Sequence, residues 1–147
     1  MELNTNQEIQ WQSVPQLQQS SEIYVVDDDE IFGKFMLKLL KSQGYEVRYF
    51  KTALEFLTRI RSQSPAVIIL DVYMSWINGI DLAKTIRKNP RLKDIPIMMI
   101  TGYPNPEIRV RGFKAGADAF LEKPFGTGEL METLDALLEK KTQRTFQ

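Results

Sequence analysis

The sequence predicts an α/β fold in which five parallel strands form one sheet and helices cover both of its faces, a doubly wound (βα)5 arrangement. Short apolar runs rich in β-branched residues alternate along the chain with segments whose apolar residues recur at helical spacing. The run 66–71 is apolar at every position before Asp71, which is typical of a strand buried on both faces of a parallel sheet. Right-handed crossovers between such strands place the intervening helices on both faces of the sheet.

The first two strand and helix pairs are marked by clear start and stop signals. Residues 23–26 and 46–50 are the predicted strands, and Gly44 ends the helix between them, since glycine is favoured just after a helix C-terminus. Thr52 and Glu55 have the spacing of a capping box, so we expect the second helix to begin there. The apolar positions predicted to face the sheet are Ile31, Phe35, Met36, Leu39 and Leu40 in the first helix and Phe56, Leu57 and Ile60 in the second.

The third and fourth strands are the two most apolar runs of the chain. Residues 66–71 and 95–100 are predicted as buried strands. The helix between them begins at Gly79 and ends at Asn89, because the proline that follows Asn89 disfavours helical backbone before it. The apolar positions of this helix are Leu82, Ala83 and Ile86.

The fourth helix is predicted to be weakly held. It runs from near Pro106 to Gly116, and basic residues separate its sparse apolar positions, so the element has the composition of one that can move. Residues 117–121 follow as the fifth strand, and the last helix begins near Thr127. The apolar positions are Ile108, Val110 and Phe113 in the fourth helix and Leu130, Leu134, Leu137 and Leu138 in the last.

Composition narrows the function classes. The 147 residues fit one domain, and 19 basic residues balance 19 acidic ones, so the overall charge gives no reason to expect nucleic acid or a membrane surface as a direct partner. The chain has no cysteine and no histidine, which excludes thiol nucleophiles, imidazole bases and most zinc chemistry. No secretory leader or membrane span is apparent, so we expect a cytoplasmic protein without membrane insertion.

Three segments differ in composition. Residues 1–21 are rich in glutamine and are expected to form a mobile arm, or alternatively to pack against the domain or a partner through apolar residues. Residues 22–140 form the predicted domain, and residues 141–147 a polar tail. The apolar residues of the arm are Ile9, Trp11, Val14 and Leu17.

Polar residues follow four of the five predicted strands. The first is followed by Asp27, Asp28 and Asp29, the third ends in Asp71, and Thr101 and Lys123 follow the fourth and fifth. Because the carboxyl ends of parallel strands lie at one edge of a sheet, we expect these side chains to converge. Each residue type alone has an ordinary structural explanation, such as helix capping or a turn, but their occurrence at successive strand ends favours a functional site.

The chemistry of such a site can be predicted from its charges. A carboxylate pair about 4 Å apart costs on the order of 4 kcal/mol at an effective dielectric constant near 20, so the cluster calls for a divalent cation, and oxygen ligands favour Mg²⁺. A carboxylate beside Mg²⁺ can attack phosphorus and form an acyl phosphate. Asp71 is then the predicted nucleophile, Lys123 balances the phosphoryl charge, and Thr101 donates a hydrogen bond to a phosphoryl oxygen.

At this point the sequence resembles a known family, the receiver domains of two-component response regulators. The resemblance covers about residues 22–140 and is strongest to stand-alone, chemotaxis-regulator-like members. It implies a flavodoxin-like fold and a phosphoryl group received on Asp71 from a histidine kinase or a histidine phosphotransfer protein. The segments that carry the resemblance are 25–29 (VVDDD), 69–71 (ILD) with Asn78-Gly79, 100–102 (ITG), 116–120 (GADAF) and 122–125 (EKPF).

The resemblance also implies a ligand set and a switch. Asp28 and Asp71 would bind Mg²⁺ directly together with the backbone carbonyl of Tyr73, and Asp27 would act mainly through water. The Lys123-Pro124 bond would be cis. After phosphorylation Thr101 would move inward, and Phe120 would follow it from a solvent-facing to a buried rotamer, which changes the surface offered to a target protein.

The chain departs from the family pattern in the loop after Asp71. The family usually has proline after the methionine, whereas Met74 is followed here by Ser75 and Trp76, which loosens the turn and places a large apolar side chain in a loop. Trp76 is either a partner contact or packs back on the third helix. Tyr73 and Tyr103 occupy positions where the family controls access of water, so we expect a long-lived phosphoryl group and a further partner contact at Tyr103.

Several alternatives remain open at this stage. No output domain follows residue 140, so we expect a stand-alone signalling protein rather than an enzyme, acting on a target or as a middle step of a phosphorelay, unless the chain is a fragment of a larger regulator. Phosphorylation-dependent homodimers are a further option. A degenerate receiver that binds partners without phosphorylation is the main alternative. An aspartyl phosphatase would need an acid two residues after Asp71, where this chain has Tyr73.

Overall fold

A computed structural model describes residues 21–146. It contains a single five-stranded parallel sheet with strand order β2-β1-β3-β4-β5, which confirms the predicted doubly wound fold. The strands are β1 (Ile23–Val26), β2 (Val47–Phe50), β3 (Val67–Asp71), β4 (Ile97–Thr101) and β5 (Ala119–Glu122). The chain order reverses between β1 and β3, so the point at which such folds bind ligands lies between these two strands.

Within residues 21–146, five helices alternate with the strands, and four of them begin at a polar cap. The helices are α1 (Glu30–Ser42), α2 (Ala53–Ile60), α3 (Gly79–Lys88), α4 (Pro106–Ala115) and α5 (Thr127–Phe146). Asp29, Thr52, Asn78 and Asn105 each accept a hydrogen bond from a backbone N–H of the following first turn. The caps fix where each helix leaves the strand-end loops, and these loops carry the candidate site.

The sheet separates two apolar cores. Alternate residues of β3 point to opposite faces, so Ile68 and Leu70 join the core that includes α2 and α3, whereas Val67 and Ile69 join the core beneath α1 and α5. Every residue of β3 is buried. A strand enclosed in this way holds its final residue, Asp71, in a fixed position.

The structure corrects the predicted buried face of α1 and shows which residues of α4 are buried. Ile31 is 84% exposed and Phe35 52% exposed, while Gly33 and Met36 are buried. In α4 the buried positions are the small residues Gly112 and Ala115, and Val110 and Phe113 are exposed. Both helices offer two neighbouring stripes at helical spacing, and packing selects the stripe that lets the helix approach the sheet most closely.

The two terminal segments have different outcomes. The predicted arm lies outside the described residues except for Ser21. The last helix continues to Phe146, so the backbone of residues 141–146, predicted as a tail, is helical. No helix in the described part of the chain is long and apolar enough to cross a membrane.

Candidate functional site

The three predicted acidic residues meet at the carboxyl edge of the sheet. Val26 pairs with Leu70, so the residues that follow them, Asp27 and Asp71, leave adjacent strands at the same level. One carboxylate oxygen from each of Asp27, Asp28 and Asp71 lies within 4.8 Å of the others. This group of hard oxygen donors fits a divalent cation such as Mg²⁺.

Burial makes this cluster electrostatically unfavourable without a counter-charge. Asp27 is 1% exposed and Asp71 is 7% exposed. Burial first, and then the charge of Asp27, raise the pKa of Asp71 to about 7. Burial also raises the pKa of Asp27, although the backbone N–H of Asp29 and the ammonium of Lys123 oppose this effect. A bound cation would relieve the repulsion that these values reflect.

Lys123 supplies one positive charge to the cluster. Its Nζ lies 3.3 Å from Asp27 Oδ2 and 3.6 Å from Asp71 Oδ1. The same ammonium lies 3.8 Å from the centre of the Phe32 ring, a cation–π contact that holds it at the site edge. The Lys123-Pro124 peptide bond is cis, as the resemblance implied.

Thr101 is buried beside the cluster. It is 1% exposed and lies one residue beyond Ile100, the partner of Asp71 in the sheet. Its Oγ1 accepts a hydrogen bond of 3.0 Å from the backbone N–H of Tyr103, and its carbonyl accepts one of 2.8 Å from the N–H of Lys123. The hydroxyl proton has no acceptor among the described residues, so it can be donated to an incoming anion.

The loop after β3 carries the residues that depart from the family pattern. Trp76 is 91% exposed, so it does not pack back on α3. Tyr73 and Tyr103 contact each other edge to face, with ring centres 5.6 Å apart, although they come from different strand-end loops. Gly79 packs closely against the backbone carbonyl of Asp71, and this contact brings the start of α3 against the end of β3. Whether Tyr73 offers its carbonyl to a metal stays a prediction.

Phe120 is buried in this structure. It is 9% exposed, its ring centre lies 6.0 Å from that of Phe113, and Arg109 stacks over it at 6.0 Å. A Cβ at Gly112 would lie 2.7 Å from the Phe120 ring, so the ring can occupy this position because residue 112 is a glycine. The ring is therefore buried against α4, and its change of rotamer with Thr101 stays a prediction.

Two supporting residues were not identified from the sequence. Ser75 donates two hydrogen bonds to Asp28, from its N–H at 2.8 Å and its Oγ at 2.6 Å. The Tyr49 hydroxyl donates to the carbonyl of Asp27 at 2.8 Å, and burial raises the pKa of Tyr49 to about 12, so it remains a donor. The serine at a position where the family has proline could have indicated the role of Ser75. The contact between Tyr49 and Asp27 could not be predicted in this way, because it depends on the pairing of β1 with β2.

Comparisons with known proteins identify relatives of this chain. Residues 23–135 match the family model described as the response regulator receiver domain. The phosphate regulon transcriptional regulatory protein PhoB of Rhizobium meliloti (strain 1021) is 34% identical over 118 residues, which cover 80% of this chain and 52% of that protein. The chain thus spans about half the length of the curated relatives it matches.

Solved structures of receiver domains and chemotaxis regulators are also similar to this chain. The chemotaxis protein CheY4 of Vibrio cholerae is 31% identical with a TM-score of 0.76, and the match covers 80% of this chain and 98% of that one. The beryllofluoride-activated receiver domain dimer of NtrC4 is 30% identical with a TM-score of 0.77, and the match covers 83% of this chain and 99% of that one.

Proposed function

This chain belongs to the family of response regulator receiver domains, and we propose on that premise that it accepts a phosphoryl group on Asp71 from a histidine kinase or a histidine phosphotransfer protein. The observation that carries the proposal is the position of Asp71, a buried carboxylate grouped with Asp27 and Asp28 and 3.6 Å from the ammonium of Lys123. Receiver domains of response regulators interact with kinases and effectors, and this sequence contains no histidine, so the donor histidine lies outside residues 1–147.

Each site residue has a role in the transfer. A carboxylate oxygen of Asp71 attacks phosphorus while the bond from phosphorus to the donor's histidine nitrogen breaks, leaving an acyl phosphate on Asp71. Lys123 and the hydroxyl of Thr101 stabilise the negative charge on the phosphoryl oxygens. Mg²⁺, held by Asp27, Asp28 and Asp71, would neutralise the negative charge that gathers where phosphate meets carboxylates.

Intact mass spectrometry after incubation with acetyl phosphate tests the proposal. With Mg²⁺ we expect the wild-type chain to gain one phosphoryl group, and without divalent metal we expect no gain. The Asp71→Asn variant is expected to gain none under either condition, because a carboxamide does not attack phosphorus as a carboxylate does. Asp94→Asn, which changes an exposed carboxylate away from the site, is the matched control and is expected to behave as wild type.

The main alternative, a degenerate receiver that binds partners without phosphorylation, predicts no mass gain. Beryllofluoride, an analogue of the phosphoryl group, guards against a short-lived adduct. A chain that binds Mg²⁺ but takes up neither phosphate nor beryllofluoride would contradict the proposal. The alternative is not favoured, since Asp27, Asp28, Asp71, Thr101 and Lys123 are all present and converge.

The output of the phosphorylated chain is proposed to be a changed protein surface. Thr101 and Phe120 would couple the site to α4, whose half-exposed Phe113 has its ring centre 6.0 Å from that of Phe120. The target is proposed to be another protein, or a second copy of the chain, since one similar receiver forms a dimer when activated by beryllofluoride. On this proposal the chain is a cytoplasmic signalling protein that does not turn over a substrate of its own.

The aromatic pair beside the site leads to a prediction about phosphoryl lifetime. Tyr73 and Tyr103 pack edge to face at 5.6 Å, two residues beyond Asp71 and Thr101 respectively. Because these rings restrict the approach of water, Tyr103→Ala is expected to shorten the half-life of the phosphorylated chain several-fold. Tyr103→Phe keeps the ring and is expected to keep the half-life. The decay is measured by intact mass after removal of acetyl phosphate, and equal half-lives in all three proteins would contradict the prediction.

A further inference from the structure

We propose that Ser75 is a positioning residue for the metal site, which holds the carboxylate of Asp28 within the acidic cluster and fastens the loop after β3 to it. The inference rests on the proposed function, because it concerns the same metal site. It adds a residue that the family pattern does not supply, since proline at this place has neither a backbone N–H nor a hydroxyl.

The contacts of Asp28 carry the inference. Its Oδ2 accepts the Ser75 Oγ–H at 2.6 Å and the Ser75 N–H at 2.8 Å, and both lengths are those of strong, charge-assisted hydrogen bonds. Among the described residues, Ser75 provides every hydrogen bond that Asp28 accepts, and Oδ1 accepts none. Asp27 and Asp71, in contrast, are both held by Lys123.

Asp28 needs such a partner more than the other two carboxylates do. It is only half-buried, whereas Asp27 and Asp71 are enclosed by the sheet. Three carboxylates within 4.8 Å repel each other, and the half-buried one can turn outward most easily. Two donors on Oδ2 oppose that rotation and keep the carboxylate oriented before a cation arrives. Outer hydrogen bonds of this kind commonly change metal affinity by about 10- to 100-fold.

Ser75 also restricts the turn after β3, as proline does in the family pattern. A proline would restrict the turn through its own ring, whereas Ser75 restricts it through a tertiary contact with Asp28, the second residue after β1. The neighbouring Trp76 is 91% exposed. The loop that presents this side chain is thereby tied to a predicted metal ligand, so metal binding and loop order are coupled.

Calorimetric titration with Mg²⁺ tests the proposal on the resting chain, without any phosphodonor. Ser75→Ala removes the hydroxyl and keeps the N–H, and it is expected to raise the Kd for Mg²⁺ about 10-fold. Ser75→Thr keeps both donors and is expected to restore wild-type affinity. Ser62→Ala removes an exposed serine hydroxyl that bonds to the Arg59 carbonyl away from the site, and it is expected to leave the Kd unchanged.

A double-mutant cycle separates positioning from a general effect on folding. In an Asp28→Asn background, Ser75→Ala is expected to change the Kd no further, because the carboxylate it orients is absent. A Ser75→Ala variant that binds Mg²⁺ as tightly as wild type, or more tightly because Ser75 competes for Oδ2, overturns the inference alone. A wild-type chain that binds no Mg²⁺ overturns both this inference and the proposed function.

Discussion

At pH 8 and without divalent metal, Asp71→Asn is expected to be more stable than the wild-type chain by up to about 4 kcal/mol. The rise in the pKa of Asp71 from 3.8 to about 7 corresponds to about 4 kcal/mol, since each pKa unit is worth about 1.4 kcal/mol. That free energy is the penalty of ionising Asp71 among buried groups. The pKa of about 7 already includes the opposing attraction of Lys123, so the amide avoids the net penalty of ionisation.

The sign follows from proton binding. The folded chain holds the Asp71 proton up to about pH 7, whereas the unfolded chain releases it near pH 4. The free energy of unfolding of the wild type should therefore fall as the pH rises from about 4 to about 7 and then level off. Asp71→Asn lacks this contribution, so its stability advantage should be small at pH 4 and largest above pH 7.

Urea unfolding in the presence of a chelator, measured at several pH values, checks this expectation. Asp94→Asn removes an exposed carboxylate and should reproduce the wild-type pH dependence. Adding Mg²⁺ should reduce the advantage of Asp71→Asn. The wild type keeps the Asp71 carboxylate and should bind Mg²⁺ more tightly, so Mg²⁺ stabilises its folded state more than that of the variant. Identical pH dependences for wild type and Asp71→Asn would show that Asp71 is not the group whose ionisation the fold resists.

Gly79→Ala is expected to destabilise the fold by about 1 to 3 kcal/mol and to slow phosphorylation. A Cβ at this position would overlap the carbonyl oxygen of Asp71 and lie 3.1 Å from the Cα of Val72, and both are backbone atoms that cannot turn away. The Gly79 N–H also donates to the Val72 carbonyl at 2.7 Å, so α3 cannot retreat without losing that bond. Any adjustment displaces the end of β3, which carries the nucleophile.

Gly128→Ala is the matched control for this substitution. Gly128 also lies in the first turn of a helix, but a Cβ there would meet no atom within 4 Å. Alanine at that site should leave stability unchanged or raise it by up to about 1 kcal/mol, because glycine lowers helix stability. Urea unfolding and the rate of acetyl phosphate labelling are measured for both variants. If Gly79→Ala has the same stability and labelling rate as Gly128→Ala, the close approach of α3 to Asp71 is not required for stability or phosphorylation.

The strand ends were predictable because their signals are local. The run before Asp71 is apolar enough to require burial on both faces, and a parallel sheet then places its last residue at a shared edge. The caps Thr52 and Asn78 were predictable for the same reason, since a cap side chain accepts a hydrogen bond from the first turn of its own helix. Local chemistry therefore sufficed to predict the fold and the convergence of Asp71 with the carboxylates that follow β1.

Contacts between distant segments were not predictable in this way. The interpretation of α1 placed Ile31 and Phe35 on the inner face, and both are exposed. A side chain at the buried Gly33 would overlap the ring of Tyr49, so the small residue, not the apolar one, decides which stripe faces the sheet. Periodicity measures hydrophobicity along a helix, whereas packing depends on the shape of the opposing surface.

By itself, the sequence determined the doubly wound fold, the edge of the sheet that carries the site and the residues that converge there, because strand burial, caps and strand-end residues are properties of short segments. Only the tertiary structure decided how those residues are held. The hydrogen bonds from Ser75 to Asp28 and from Tyr49 to Asp27 join β1 to the loop after β3 and to β2. Such partners depend on register and on side-chain direction across the sheet, and neither is encoded in the spacing of residues along one segment.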